Sequence, residues 1–254
     1  MIFSKLPAAM ALVAFACWPP AFAQVTIKPD GQWRHLFAAG ASVASGNSDA
    51  TSVNLSSDSV RATDIDKWSI TGRALYASSE GETTGERIAL GTQYNRDITP
   101  RWFLFGLADA LRDEPANLSS RLSVAAGPGY HVWRRDADFW DVSAGLSYTQ
   151  DRFIDATEID GRVRSRYGRA ELLLAEESSH QLTSTTAFTQ KLRVLPNLRD
   201  TGAYRADFES SLTVAINSTL SLTAGLAYRY DSDPGEGFER GDTLFVTGLS
   251  YRLD

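Results

Sequence analysis

The feature that most constrains this chain is a period of two, held for ten or more residues at a time and repeated along its length. In residues 140–151, "WDVSAGLSYTQD", Trp140, Val142, Ala144, Leu146 and Tyr148 share one face, and Asp141, Ser143, Gly145, Ser147, Thr149 and Asp151 share the other. Successive side chains of a β-strand point to opposite sides. One face of this segment therefore needs an apolar medium and the other a wet one. About a dozen segments follow the pattern: 33–45, 51–61, 67–78, 87–96, 102–112, 117–133, 140–151, 162–175, 183–195, 203–216, 220–230 and 243–253. Most run to ten residues or more. That exceeds the roughly 5–6 of a soluble strand and reaches the roughly 9–11 that a tilted strand needs to cross a bilayer.

The two faces differ in size as well as polarity. Polar-face positions are often small, as in Ser143, Gly145, Ser147 and Thr149, or Ser221, Thr223, Gly225 and Ala227. The large residues Leu220, Leu222, Leu226 and Tyr228, and Phe208, Leu212, Val214 and Ile216, point the other way. A soluble sheet puts long charged residues in water and large apolar ones in its core. Small polar residues inside and large apolar residues outside describe a barrel in lipid. A closed barrel also satisfies every backbone donor and acceptor, which lipid cannot do.

The chain opens "MIFSKLPAAMALVAFACWPPAFAQ". Lys5, an apolar run too short to span a bilayer, and the small-x-small pattern of Ala21 and Ala23 before Gln24 predict a secretory signal peptide over 1–23. The barrel is then expected over 24–254. Removing the leader takes away the only Cys and both Met, and moves the formal charge from −6 to −7. No cysteine remains for a disulfide or a thiolate metal site. A mildly acidic chain also lacks the basic footprint of a nucleic-acid binder.

Connections alternate in length. "ATDID", "DITP", "RRDAD", "EESSH" and "NST" are short and polar, whereas 78–86, 151–161, 195–202 and 231–242 are longer. "SGNSDA" and "RDEPAN" are short exceptions on the long side. Short turns at one end and long loops at the other are the habit of outer-membrane barrels. Trp33, Trp68, Trp102, Trp133 and Trp140 all map to the short-turn end, with Tyr94, Tyr130 and Tyr251. Tyr76, Tyr148, Tyr204, Tyr228 and Tyr230 map towards the other. Two aromatic belts are expected where membrane meets water. "GPGY" (127–130) strains this reading, because Pro128 cannot donate to a ladder and a closed barrel has no edge strand to host it. A β-bulge or bend is expected there; a break would change the strand count.

The expected fold is therefore all-β: a closed antiparallel transmembrane barrel of about twelve strands behind a signal peptide, in the outer membrane of a Gram-negative bacterium. The partners this implies are outer-membrane lipid, lipopolysaccharide and the barrel-assembly machinery, with no nucleic acid and no cofactor. The oligomeric state is left open.

Four stretches, "ASGNSDATSVNLS" (44–56), "RWFLFGLADALRDEPANLSSRLSVAAGPGYHVW" (101–133), "FTQKLRVLPNLRDTGAYR" (188–205) and "YRYDSDPGEGFERGDTLFVTGLSYRL" (228–253), carry a family resemblance. In this order the chain resembles the salt-induced outer-membrane protein family, a bacterial barrel family of unknown function. The resemblance implies an outer-membrane barrel tied by name to salt response, with no catalytic residues to carry over. One departure is that the chain ends on Asp254 rather than an aromatic, with Tyr251 three residues before it.

Candidate lumen charges are Arg73, Arg87, Arg121, Lys191, Arg193, Arg205 and Arg229, with Asp109, Asp141, Asp151, Asp207 and Glu209. Such groups either line a selective pore or pair with one another and fill the interior. The mixed signs favour filling. This makes a structural or salt- and osmotic-stress envelope component the first reading and a narrow solute channel the second. A hydrolase is the third, and the expectation is that the chain is not an enzyme. There is no Gly-x-Ser-x-Gly turn and no His-pair metal motif, and His35, His131 and His180 lie near the short-turn ends of three different strands. The hydrolase would gain only from a His and a Ser lying adjacent on the membrane face. Asp231, Asp233 and Glu236 invite a calcium reading, but Gly235 and Glu236 occupy the positions where an EF-hand loop needs a ligand and a glycine.

Overall fold

The structure, a computed structural model, describes residues 27–44, 50–79, 82–135, 138–200, 202–235 and 238–253. The signal segment 1–23, its cleavage residues Ala21, Ala23 and Gln24, and also Glu236 and Asp254, lie outside these residues.

Twelve antiparallel strands close into one barrel, each paired with its sequence neighbours and β1 with β12. They are β1 (Trp33–Ala44), β2 (Ala50–Ala62), β3 (Asp66–Ser79), β4 (Glu82–Asp97), β5 (Trp102–Asp113), β6 (Leu118–Arg134), β7 (Phe139–Ile159), β8 (Arg162–Gln181), β9 (Thr186–Pro196), β10 (Tyr204–Ala215), β11 (Leu220–Asp231) and β12 (Gly241–Leu253). The five tryptophans among the described residues, Trp33, Trp68, Trp102, Trp133 and Trp140, sit at the short-turn end. Trp102 packs edge-on to Tyr130 at 5.0 Å, and Trp133 to Trp140 at 5.1 Å. Trp68, Trp102 and Trp133 are exposed on the outer wall, as are Leu90, Leu104, Leu122 and Leu146 on β4 to β7. The outward face is thus apolar around the wall, with aromatic rings at its rim.

Three segments differ from the sequence reading. Of 78–86, expected as a longer loop, residues 78–79 end β3 and 82–86 open β4, with Ser79 paired to Glu82; its small and polar residues resembled a loop but extend the hairpin. Residues 151–161, expected as a loop, belong to the β7–β8 hairpin, and "EESSH" lies inside β8. The carboxylates of 151–161 resembled a solvated loop. The turn is instead a tight one at Asp160 and Gly161, both left-handed (φ 52° and 64°), with Ile159 paired to Arg162. Such Asp-Gly pairs favour the two-residue hairpin turn whose twist matches the strands.

At Pro128 there is neither a break nor a bulge. β6 pairs with β5 straight through it, Leu104 facing Pro128, while pairing with β7 passes from Ala126–Leu146 to Gly129–Ser143 in unchanged register. Pro128 therefore sits in a two-residue gap of the β7 ladder and leaves the strand count at twelve. The flanking glycines explain the tolerance. A Cβ on Gly127 would fall 2.1 Å from the Ala144 carbonyl, and one on Gly129 2.1 Å from Cζ of Phe103. Backbone and ring approach too closely here for any side chain.

Before β1, Ile27 packs on Leu36 and Val60 on the inner wall. Gly31 N–H donates to the Ala62 carbonyl at 2.7 Å, and its own carbonyl accepts from Arg61 Nε at 2.9 Å. Arg34 donates to the Asp30 carboxylate at 2.9 Å and so holds that carboxyl well below its ordinary range.

Candidate functional site

The inner wall is the chemical surface of this molecule. Strand register puts all twelve candidate charges on it: Arg73, Arg87, Asp109, Arg121, Asp141, Asp151, Lys191, Arg193, Arg205, Asp207, Glu209 and Arg229. Cross-strand partners alternate in sign. Arg193, Asp207, Arg229 and Asp242 face one another in turn on β9 to β12. Opposite charges directly across a ladder stabilise the pairing.

Near the long-loop end the charges form one connected network. Arg121 donates through two nitrogens to Asp151 at 2.7 and 2.9 Å, and Arg169 reaches the same carboxylate at 3.1 Å. Arg169 and Arg205 both donate to Glu171, at 3.1 Å and at 3.0 and 2.7 Å. The Thr149 hydroxyl donates to Glu171 at 2.7 Å and accepts from Arg205 at 3.1 Å. Asp151 is 0% and Glu171 1% exposed. Burying such charges is costly, and the network is tolerable only because each carboxylate has several donors.

Several ion pairs cross the lumen between strands that are not neighbours. Lys67 on β3 meets Glu177 on β8 at 3.5 Å, five strands away in a ring of twelve. Arg193 on β9 meets Asp109 on β5 at 2.9 Å, and Arg121 on β6 approaches Asp231 on β11 at 3.5 Å. Beside them Phe103, Phe105, Ala125, Leu173 and Leu195 form an apolar cluster inside the barrel. His131 stacks on Phe103 at 4.7 Å between the carboxylates of Asp141 (2.6 Å) and Asp97 (3.1 Å). Lys67, Asp97, Arg169, Glu171, Glu177 and Asp231 were not among the lumen charges expected from the sequence, where Asp231 was weighed only as a calcium ligand. Their odd-numbered positions, in phase with Asp151 or Lys191 on neighbouring strands, carried the signal for most of them.

The long-loop mouth is covered. The β7–β8 hairpin brings Phe153, Ile159 and Tyr167 against Leu118. Ile159, next to the turn, is only 3% exposed, so the tip lies over the mouth rather than out in water. Asn117 clasps the hairpin, donating to the Asp155 carbonyl and accepting from its N–H, both at 2.8 Å. From the opposite wall the Asp233 carboxylate accepts from Asp160 N–H at 3.1 Å. Asp231 and Asp233 are thus engaged with guanidiniums and backbone, and among the described residues no group of three or more metal-ligating side chains occurs.

In the short-turn half a cavity of about 190 Å³ remains, lined by Lys67, Arg73, Asp109, Lys191, Arg193 and Glu209 among others. On the outer wall, His35 Nδ1 lies 2.8 Å from Ser59 Oγ, with the His35 ring stacked between Trp33 and Phe37 at 6.3 Å from each. A His and a Ser are therefore adjacent and outward-facing. Among the described residues no side chain hydrogen-bonds the other ring nitrogen, so the third group that would orient a catalytic base is not in place.

A family model described as a protein of unknown function, DUF481, matches residues 37–253. The chain belongs to the DUF481 family. It is 27% identical over 190 residues to the uncharacterized protein YdiY of Escherichia coli (strain K12), covering 73% of this chain and 69% of that one. Among solved structures this DUF481 barrel is similar to the translocator domain of the autotransporter NalP from Neisseria meningitidis, with a TM-score of 0.48, 15% identity and 87% of each chain covered. It is also similar to the NanC porin, with a TM-score of 0.46, 10% identity, and 86% of this chain and 96% of that one covered. Neither likeness carries a ligand or an activity over to the DUF481 chain.

Proposed function

We propose that this DUF481 protein is an outer-membrane barrel whose lumen is closed by its own side chains, a structural component of the envelope rather than an open pore. One observation carries the closure: ion pairs such as Lys67–Glu177 and Arg193–Asp109 span the lumen between non-neighbouring strands. The Glu171 network and the β7–β8 hairpin support it at the long-loop end. The membrane location is supported by the outer wall. A soluble monomer rarely exposes contiguous apolar area beyond a few hundred Å², and this wall is apolar around the barrel. Outer-membrane lipid and lipopolysaccharide are then the partners of the wall, and the assembly machinery its partner during insertion.

A role under salt or osmotic stress is the finer part of the proposal and rests on the resemblance of segments such as 44–56. The Ser59–His35 pair is read as an interfacial hydrogen bond, and the protein as non-enzymatic. A narrow channel is the second reading, favoured by the cavity in the short-turn half.

Cell fractionation with gel mobility before and after boiling tests the location. The expected result is a heat-modifiable band in the outer-membrane fraction; a soluble protein without a mobility shift overturns it. Liposome swelling with purified protein tests the closure: wild type leaves vesicles as tight to small sugars as empty ones, and swelling would favour the channel. Growth of a deletion strain in high salt tests the stress role, with a defect expected there and unimpaired growth counting against it.

A further inference from the structure

The outer wall carries a pair of like charges that the protein itself leaves unanswered. Along β7 the outward residues Leu146, Tyr148, Gln150 and Arg152 run from apolar through amphipathic to cationic towards the long-loop end. Arg152 stands between Asp151 and Phe153, both buried on the inner side, so it points outward. It faces Arg166 of β8 directly across one ladder and Ser120 of β6 across the other. Both arginines are exposed. Among the described residues neither guanidinium forms an ion pair or a side-chain hydrogen bond. Like charges directly opposite each other weaken a strand pair. The acids of the same hairpin do not relieve them. Asp160 is engaged by Arg164 at 3.1 Å, and Asp155 forms no ion pair among the described residues. Glu158 pairs with Val163, three residues beyond Arg166, about 10 Å away by strand rise. Arg112, exposed near the same end of β5, is by contrast held by Glu114 and by Glu86 at 3.6 Å.

We propose that Arg152 and Arg166 clamp a phosphate of lipopolysaccharide, with the Ser120 hydroxyl beside them; the assignment rests on the outer-membrane reading above. The depth fits. The Tyr148 hydroxyl reaches over Gly168, where an added Cβ would lie 2.6 Å from it. Tyrosine rings of this kind sit at the membrane–water interface. Arg166 is two residues further out than Gly168, about 7 Å by strand rise. That is the layer of lipid headgroups, beyond the hydrocarbon. The chemistry fits as well. A guanidinium presents paired N–H donors that match phosphate oxygens. A phosphate between the two arginines replaces one repulsion with two attractions. A neutral sugar would leave the repulsion in place, and a divalent cation would add to it. Free phosphate has the charge but no acyl chains to lie on Leu122, Val124 and Leu146, which are exposed on β6 and β7 below the row. A phosphorylated glycolipid uses both surfaces.

The test is native mass spectrometry of the purified protein, folded in detergent, with diphosphoryl lipid A, chemically dephosphorylated lipid A and inorganic phosphate as parallel probes. Diphosphoryl lipid A is expected to bind saturably, the dephosphorylated form at least tenfold more weakly, and inorganic phosphate without saturation. An arginine near an anionic lipid surface contributes about fivefold in affinity. The double variant Arg152→Gln with Arg166→Gln should therefore weaken diphosphoryl lipid A about twenty-fold while the heat-modifiable band persists. Arg112→Gln, which removes an arginine already paired with acids, should leave binding within about twofold. Equal binding of the dephosphorylated form, tight binding of inorganic phosphate, or undiminished binding in the folded double variant would each overturn the proposal. Inorganic phosphate bound as tightly as the lipid would mark a site for the free ion instead. If the double variant does not fold, Arg152→Gln and Arg166→Gln singly, each expected to weaken lipid A about fivefold, decide the position. A protein that fractionates with the outer membrane yet shows no phosphate-dependent binding loses the clamp and keeps its location; a soluble protein loses both.

Discussion

Arg193 on β9 donates to the Asp109 carboxylate on β5 at 2.9 Å, with three strands of barrel wall between them. The contact runs through the lumen, not along the wall. It joins parts of the chain 84 residues apart and ties barrel closure to the filling of the interior.

The crossing pairs and the deep network should differ in energy. Arg193 and Asp109 side chains are 21% and 34% exposed, whereas Glu171 is 1% exposed under two guanidiniums. Asp109→Asn is expected to cost about 1 kcal/mol or less, the scale of partly hydrated pairs. Glu171→Gln should cost about 3–5 kcal/mol, because it leaves the buried Arg205 without its carboxylate partner, while Arg169 keeps Asp151. Urea unfolding in detergent micelles measures both; equal costs would mean that water reaches Glu171 freely.

Phe103 and Gly129 form a second coupled pair. A Cβ at position 129 would fall 2.1 Å from the Phe103 ring, which is 3% exposed and stacked on His131. Gly129→Ala should destabilise the barrel by about 1–3 kcal/mol through overpacking. Combining it with Phe103→Leu should cost less than the sum of the two single changes, since the clash disappears with the ring. Strict additivity in the same unfolding assay would show that the ring is not seated there.

The β1–β12 seam is the weakest join. It pairs only from His35–Leu253 to Ala39–Leu249, while β1 and β2 pair over the whole of β1. Continuing the same register would bring Gly40 opposite Gly248. Cysteines at Gly40 and Gly248 should therefore form a disulfide under oxidation and raise the temperature of the heat-induced gel shift, with reduction reversing the gain. Failure to cross-link would place these two positions too far apart for that register.

The hairpin over the mouth depends on Asn117, which adopts φ 56° and makes both hydrogen bonds to Asp155. Asn117→Ala is expected to increase protease nicking near residues 155–160 in folded protein, by freeing the tip. Unchanged nicking would mean that the contacts of Ile159 and Tyr167 hold the hairpin alone.

The barrel was legible because its signal is local. Alternation in "WDVSAGLSYTQD" needs no partner strand to be seen, and the tryptophans mark the rim from sequence position alone. The parts that were hidden are non-local. "WFLFGL" (102–107) is a continuous apolar run, so nothing in it says that Phe103 and Phe105 turn inward while Trp102 and Leu104 turn to the outer wall. Glu177 lay in a stretch that resembled a polar turn, and its partner Lys67 is 110 residues away. Such pairs exist only once the barrel has closed. The hairpin was missed because a register shift between Arg152 and Thr157 interrupts the period of two just where its polar residues resemble a loop.

Single-channel recording in planar lipid bilayers tests the closed lumen most directly. Purified wild-type protein, shown by its gel shift to be folded, should insert without producing unitary current steps in 1 M KCl. Reproducible steps of defined size from the wild-type chain would contradict the closure and establish a channel in its place.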